Sequence, residues 1–180
     1  IEKINSDEFK HGVWFTPNSM QNGKRKKENV TDYNAIILDK DFTDTEDLES
    51  AKADYRKMIL NLQLIPTVIV ETKNGFHLYW FLQNNSNGEN YSKIQKAMQE
   101  KLETDPGSNG AEHLFRLPEF YHWKDEDDPF KCQIVFTDYK KQYKLENLER
   151  KYGTDSKSIR KKSYPGSHTG KPIKLDDFEG

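Results

Sequence analysis

The order of elements legible in this chain of 180 residues predicts an α+β fold. Three observations carry it. A run of apolar residues from Ala35 to Leu38 enters an acidic stretch and reads as a buried strand. Two further strand-like runs, Thr67 to Glu71 and Phe76 to Leu82, flank Lys73-Asn74-Gly75, whose Asn-Gly pair signals a tight hairpin. Two segments with helical spacing of apolar residues lie before and after that hairpin. Strand, helix, hairpin, helix, strand is an α+β order with antiparallel pairing at the hairpin.

Taken in order, His11 to Thr16 reads as an opening strand and Pro17 to Asn29 as a polar, basic loop. Ala35 to Asp39 is the buried strand. Thr43-x-x-Glu46 has the form of a capping box, and Leu48, Ala51, Tyr55, Met58, Ile59 and Leu62 then recur at helical spacing. Pro66 follows the end of this helix, and the hairpin begins at Thr67. Gln83 to Gly88 is an Asn-rich turn into a second helix whose stripe is Tyr91, Ile94, Ala97, Met98 and Leu102. Cys132 to Phe136 is a further strand, and Leu145 to Tyr152 a short closing helix. The reading divides the chain into a folded domain, 1–153, and a basic flexible tail or linker to a further module, 154–180.

Three motifs carry chemistry. The first is Ile36-Ile37-Leu38-Asp39-Lys40-Asp41. Residues two apart on a strand share a face, so Asp39 and Asp41 project together about 7 Å apart and can share hard divalent cations. The second is the hairpin, on which His77 alternates with Phe76 and Leu78 and lies on the face opposite theirs. If that face also holds the aspartates, His77 stands beside a bound triphosphate. The third runs from Asp105 through a glycine-broken loop to Arg116-Leu117-Pro118, His122 and Lys124. Arg116 offers a planar fork for a phosphate and Lys124 a point charge, unless Arg116 pairs with one of the nearby acids.

In this order the motifs resemble those of the archaeo-eukaryotic primase (AEP) superfamily, in its primase-polymerase (prim-pol) branch of plasmids, phages and CRISPR-associated loci. Thr72 to His77 matches the family's Ser/Thr-x-x-Gly-x-His hairpin, Asp105 its third acid, and Arg116 to Lys124 its closing segment. Trp14-Phe15-Thr16-Pro17-Asn18 is similar to the strand that opens many such domains. Glu119 departs from the glycine of many relatives, so the turn after Pro118 is expected to differ. The resemblance covers residues 11 to 137 and implies an RNA-recognition-like (RRM-like) catalytic core with a small N-terminal α/β unit.

What the resemblance implies about activity is a template-dependent nucleotidyltransferase that moves nucleotides from NTPs or dNTPs to a 3′-hydroxyl. Asp39, Asp41 and Asp105 would hold two Mg²⁺ or Mn²⁺ ions. His77, Arg116 and Lys124 would bind the triphosphate, with Lys73 and His122 as further candidates. Three acids without cations repel one another, so metal and triphosphate should bind cooperatively. The implied partners are a single-stranded DNA template and primer, and a fused or associated helicase or CRISPR-type module. Two alternatives stay open: a metal-dependent nuclease, and a catalytically silent nucleic-acid-binding domain of the same fold. A relaxase is excluded because no His-x-His pair occurs.

Composition narrows the classes further. A net charge of −2 argues against coating nucleic acid by bulk charge, although eight Lys or Arg stand against Asp155 between Arg150 and Lys174. One cysteine, Cys132, leaves no disulfide framework and no zinc knuckle, and agrees with a reducing compartment. No apolar run is long enough to span a membrane, so a cytoplasmic protein is expected, and a start at Ile1 suggests an excised piece.

Overall fold

In the computed structural model, residues 10–43, 45–83 and 88–153 are described. The tail expected beyond 153 lies outside them. The described strands are β1 (Trp14–Phe15), β2 (Ser19–Met20), β3 (Val30–Asp32), β4 (Ala35–Asp41), β5 (Val68–Glu71), β6 (Gly75–Phe81), β7 (Phe115–Arg116), β8 (Tyr121–His122), β9 (Phe130–Lys131) and β10 (Gln133–Thr137). The α-helices are α1 (Leu48–Leu60), α2 (Tyr91–Lys101) and α3 (Leu145–Tyr152).

The centre is a four-stranded antiparallel sheet in the order β10-β5-β6-β4. Period-two alternation sorts its side chains into two cores. Ile36, Leu38, Ile69, Phe76, Leu78 and Trp80 pack with Tyr55 and Ile59 of α1, Ile94 and Met98 of α2, and Leu148 of α3. Ala35, Ile37, Val68, Val70 and Tyr79 face the other way, where Phe115, Cys132 and Phe15 cover them. The mixed α/β architecture is the one expected. Helices occupy one face, and the second face is closed by short strands from both ends of the domain, with β1 paired to β7.

Several local expectations are corrected. The opening strand is Trp14–Phe15 alone, and β2, inside the basic loop, pairs with β3 just after it in a small hairpin. α1 begins at Leu48 rather than after a Thr43–Glu46 box, because the Asp47 carboxylate caps it, accepting from the Ser50 N–H at 3.0 Å. Gly75 is not a turn residue with positive φ but the first residue of β6, opposite Asp41. A Cβ there would collide with the carbonyl oxygen of Lys40, so glycine is needed for close approach of the two strands.

Glu119 takes the left-handed backbone that favours glycine, with φ 70°. An L-residue in the left-handed region is strained by about 1 kcal/mol, and the exposed Glu119–Lys131 ion pair at 2.7 Å offsets only part of this. Glu119→Gly is therefore expected to be neutral or to stabilise by up to ~1 kcal/mol in urea unfolding. A loss above ~1 kcal/mol would mean that the ion pair holds this turn.

Candidate active site

The second face of the sheet, at the end of β4, gathers the charged side chains. Asp39 pairs directly with His77 across β4 and β6, so the two share a face, and Asp41 follows two residues on. His77 Nε2 lies 3.7 Å from Asp39 Oδ1. That is too long for a hydrogen bond. His77 is only 5% exposed, its ring set edge-on to Phe115 and Tyr79. Burial, then the positive charge of Arg116, pushes its pKa down to about 3. His77 is therefore neutral, and its contact with Asp39 is not an ion pair.

Asp105, far along the chain, is carried to the free edge of β4 by a dense set of bonds. Its N–H donates to the Asp39 carbonyl at 2.7 Å, extending the sheet edge by one bond. Lys40 Nζ donates to the Glu103 carbonyl at 2.7 Å and the Tyr55 hydroxyl to the Leu102 carbonyl at 2.8 Å. Gln99 and Ser108 both donate to the Asp105 carbonyl, at 3.0 and 2.8 Å. The carboxylate itself accepts from the Gly107 N–H at 2.7 Å. Glu103 turns the chain with φ 52°. Backbone and side-chain donors thus fix the third acid beside the first.

The electrostatic result is a frustrated acid cluster. Burial, with repulsion from Asp41 and Asp105, raises the Asp39 pKa to about 7, although Arg116 pulls it down. Asp41 is raised by burial and by Asp105, and lowered by Lys124. Asp39 Oδ1 is buried without a hydrogen-bond partner among the described residues.

Opposite the acids stands a group of cations. Arg116 makes no ion pair among the described residues, so the competing sequence reading of a salt bridge does not hold. Its guanidinium lies 4.0 Å from the ring centre of Trp14. Lys124 is exposed and likewise has no ion pair among them. His122 is half-buried, with both ring nitrogens unpartnered, and burial with Arg116 and Lys124 nearby pushes its pKa down to about 4. Lys73 is differently employed: it bridges Asp125 at 3.2 Å and Asp128 at 3.0 Å, pinning the hairpin tip to the acidic loop.

Residues that the sequence did not single out also border the site. Burial, then the charge of Arg25 from the basic loop, depresses the His113 pKa, and His113 in turn packs on Phe115 at 5.2 Å. The Tyr79 hydroxyl is buried and unpartnered. With Asp39 Oδ1, His77 Nδ1, Thr72 Oγ1 and the His122 nitrogens, it makes a concentration of unsatisfied polar atoms around the end of β4. Buried polar atoms left without partners in a folded protein call for water, an ion or a ligand. Among the described residues no group of three or more His, Cys, Asp or Glu side chains is placed so that it could hold a metal ion as it stands. The donor chemistry still suits a hard divalent cation, because the donors are carboxylate oxygens and the acids destabilise one another without a cation.

A family model described as the RepB DNA-primase N-terminal domain matches residues 11–162. The chain belongs to this family. The fold of this RepB primase domain is similar to the AEP domain of the cyanophage S-2L primase-polymerase, with a TM-score of 0.60 and 16% identity over 77% of this chain and 69% of that one. It is also similar to the primase RepB′, at TM-score 0.50 and 18% identity, covering 68% of this chain and 40% of that chain. The catalytic domain of RepB′ in complex with initiator DNA matches with the same score and identity, 59% of it being covered. The chain thus spans less than two thirds of either RepB′ chain. No curated protein matches it. The family is that of a DNA-primase domain, the solved primase structures agree with it in fold, and together they support primase-type nucleotidyl transfer. No described helix is long and apolar enough to cross a membrane.

Proposed function

We propose that this domain is a template-dependent primase-polymerase that transfers nucleotides from NTPs or dNTPs to a 3′-hydroxyl on single-stranded DNA. One observation carries the reading: an acid cluster braced through the Asp105–Asp39 backbone bond stands with Arg116 and Lys124, which have no ion pair among the described residues. Asp39, Asp41 and Asp105 would hold two Mg²⁺ or Mn²⁺ ions. Bound there, such ions supply activation of the attacking hydroxyl and neutralisation of the leaving pyrophosphate.

The chain's own residues do the rest. Arg116 and Lys124 bring positive charge to the triphosphate, and Arg116 can do so with two parallel N–H bonds. His77 is neutral and offers an uncharged N–H beside Asp39, adding no charge that would compete with a cation. His122 supplies a second neutral imidazole between Arg116 and Lys124. Lys73 acts one step away, by holding the hairpin against the acidic loop. A metal-dependent nuclease would use the acids but has no need of unpaired cations beside them.

The test compares nucleotide incorporation on a primed and an unprimed single-stranded template with Mn²⁺. Arg116→Ala and His77→Ala are expected to weaken nucleotide use at least tenfold while changing single-stranded DNA binding by less than threefold. Equal losses in both would point to a template role, and degradation of the template without incorporation would favour the nuclease.

A further inference from the structure

Trp14 is a large aromatic residue left 47% exposed, directly opposite Arg116 in the β1–β7 pair. We propose that Trp14 is a positioning residue for Arg116: its ring face fixes the guanidinium so that its charge and N–H donors stay available to the phosphates of an incoming nucleoside triphosphate. The inference rests on the triphosphate-site reading above and extends it to a residue that contributes no charge.

The physical argument turns on what else could hold an arginine still. A carboxylate would orient Arg116 through its N–H groups, but it would consume those donors and cancel the charge. Beside Asp39 such neutralisation would leave little attraction for a polyanion. An aromatic face holds the guanidinium through its flat side, leaving the donors at its edge free. The 4.0 Å stacking distance meets this description, and no acid pairs with Arg116 among the described residues. The backbone supports the stack, since the Leu117 N–H donates to the Val13 carbonyl at 2.9 Å and locks the two strands in register.

Gly12 makes the space. A Cβ there would come within 2.9 Å of Trp14 Nε1, closer than real contacts, and 3.0 Å of Arg116 Nη1, so the stacked side chains would have to shift. Glycine at 12, tryptophan at 14 and arginine at 116 therefore form one unit. Exposure of the Trp14 ring is explained by this arrangement, because its partner is a cation at the rim of the site rather than the apolar core.

The experiment measures nucleotide KM and kcat on a primed template for Trp14→Ala, Trp14→Phe, Gly12→Ala and Arg116→Ala, with melting temperatures alongside. Trp14→Ala should raise nucleotide KM roughly 3- to 30-fold, the range expected for losing a cation–π contact, with a smaller effect on kcat. Trp14→Phe should restore most of the loss, and Gly12→Ala should reproduce it in part. Binding of dATP should change the intrinsic fluorescence of the wild-type protein, and this change should be reduced in Trp14→Phe. A Trp14→Ala KM within twofold of wild type, while Arg116→Ala raises it, overturns the proposal and leaves the triphosphate site standing. Equal losses in kcat and KM without rescue by phenylalanine mean a structural role and also overturn it. If the wild-type protein shows no saturable dATP binding, the triphosphate reading fails and the proposal fails with it.

Discussion

Asp39→Asn is expected to reduce nucleotide incorporation roughly a thousandfold or more, and at the same time to stabilise the metal-free domain at pH 8. The first effect follows from removing a charged donor from the proposed cation site. The second follows from linkage. The Asp39 carboxyl is pushed from 3.8 to about 7 by burial and by its acidic neighbours. Its folded pKa lies above its unfolded one, so folding takes up a proton between those values. This contribution to stability is complete below about pH 4 and is lost as the pH rises towards 7. Above pH 7 the folded domain carries an ionised, crowded Asp39 at a cost on the order of 2–4 kcal/mol. Asparagine is neutral throughout and removes that cost. Melting curves of wild type and variant should therefore separate at pH 8 and converge towards pH 4, and saturating Mg²⁺ should narrow the gap at pH 8 by stabilising only the wild type. A variant that melts below wild type at pH 8 would show that Asp39 is paired rather than frustrated.

Lys52→Ala is expected to be as damaging to stability as truncating a buried apolar side chain. Lys52 lies on α1, is 4% exposed, and its Nζ donates to Glu71 at 3.0 Å and to the Thr72 carbonyl at 3.0 Å. It also lies 5.0 Å over the Phe130 ring. Removing one partner of a buried pair leaves the other desolvated without compensation, typically at 3–5 kcal/mol. Glu71 retains some access to water, so a loss of about 2–4 kcal/mol is expected, or a fall of roughly 5–15 °C in Tm for a domain of this size. Lys52→Met with Glu71→Gln, which keeps the stem and removes both charges, should recover most of it. A Tm within 2 °C of wild type for the alanine variant would show that water reaches this pair. The damage should extend to the site, because Lys52 anchors the start of the loop that carries Lys73 and leads into His77.

Much of the candidate site was legible because its first half is local. Alternation set Asp39 with Asp41 on one face of β4 and His77 opposite Phe76 on β6, and the β4–β6 register then brought the two sets together. The cap of α1 was misread because Asp47 competes with Thr43 as a cap, and two acceptors a few residues apart give similar patterns. Gly75 was correctly noticed for the wrong reason. Its role depends on how close a neighbouring strand comes, and no turn rule contains that distance.

What the sequence by itself determined is the set of chemical groups and the face each one takes, because strand and helix periodicity are properties of the backbone over a few residues. What only the tertiary structure decided is which charges remain free. Lys73 and Arg116 look alike as cations in the chain, yet Lys73 is bound by Asp125 and Asp128 whereas Arg116 stacks on Trp14 and keeps its charge. Asp105 likewise reaches Asp39 only through the bonds that fold the 102–108 loop onto the edge of β4. Partner choice among charges depends on which loops close in space and on how much water each pair loses, and neither quantity exists until the chain has folded.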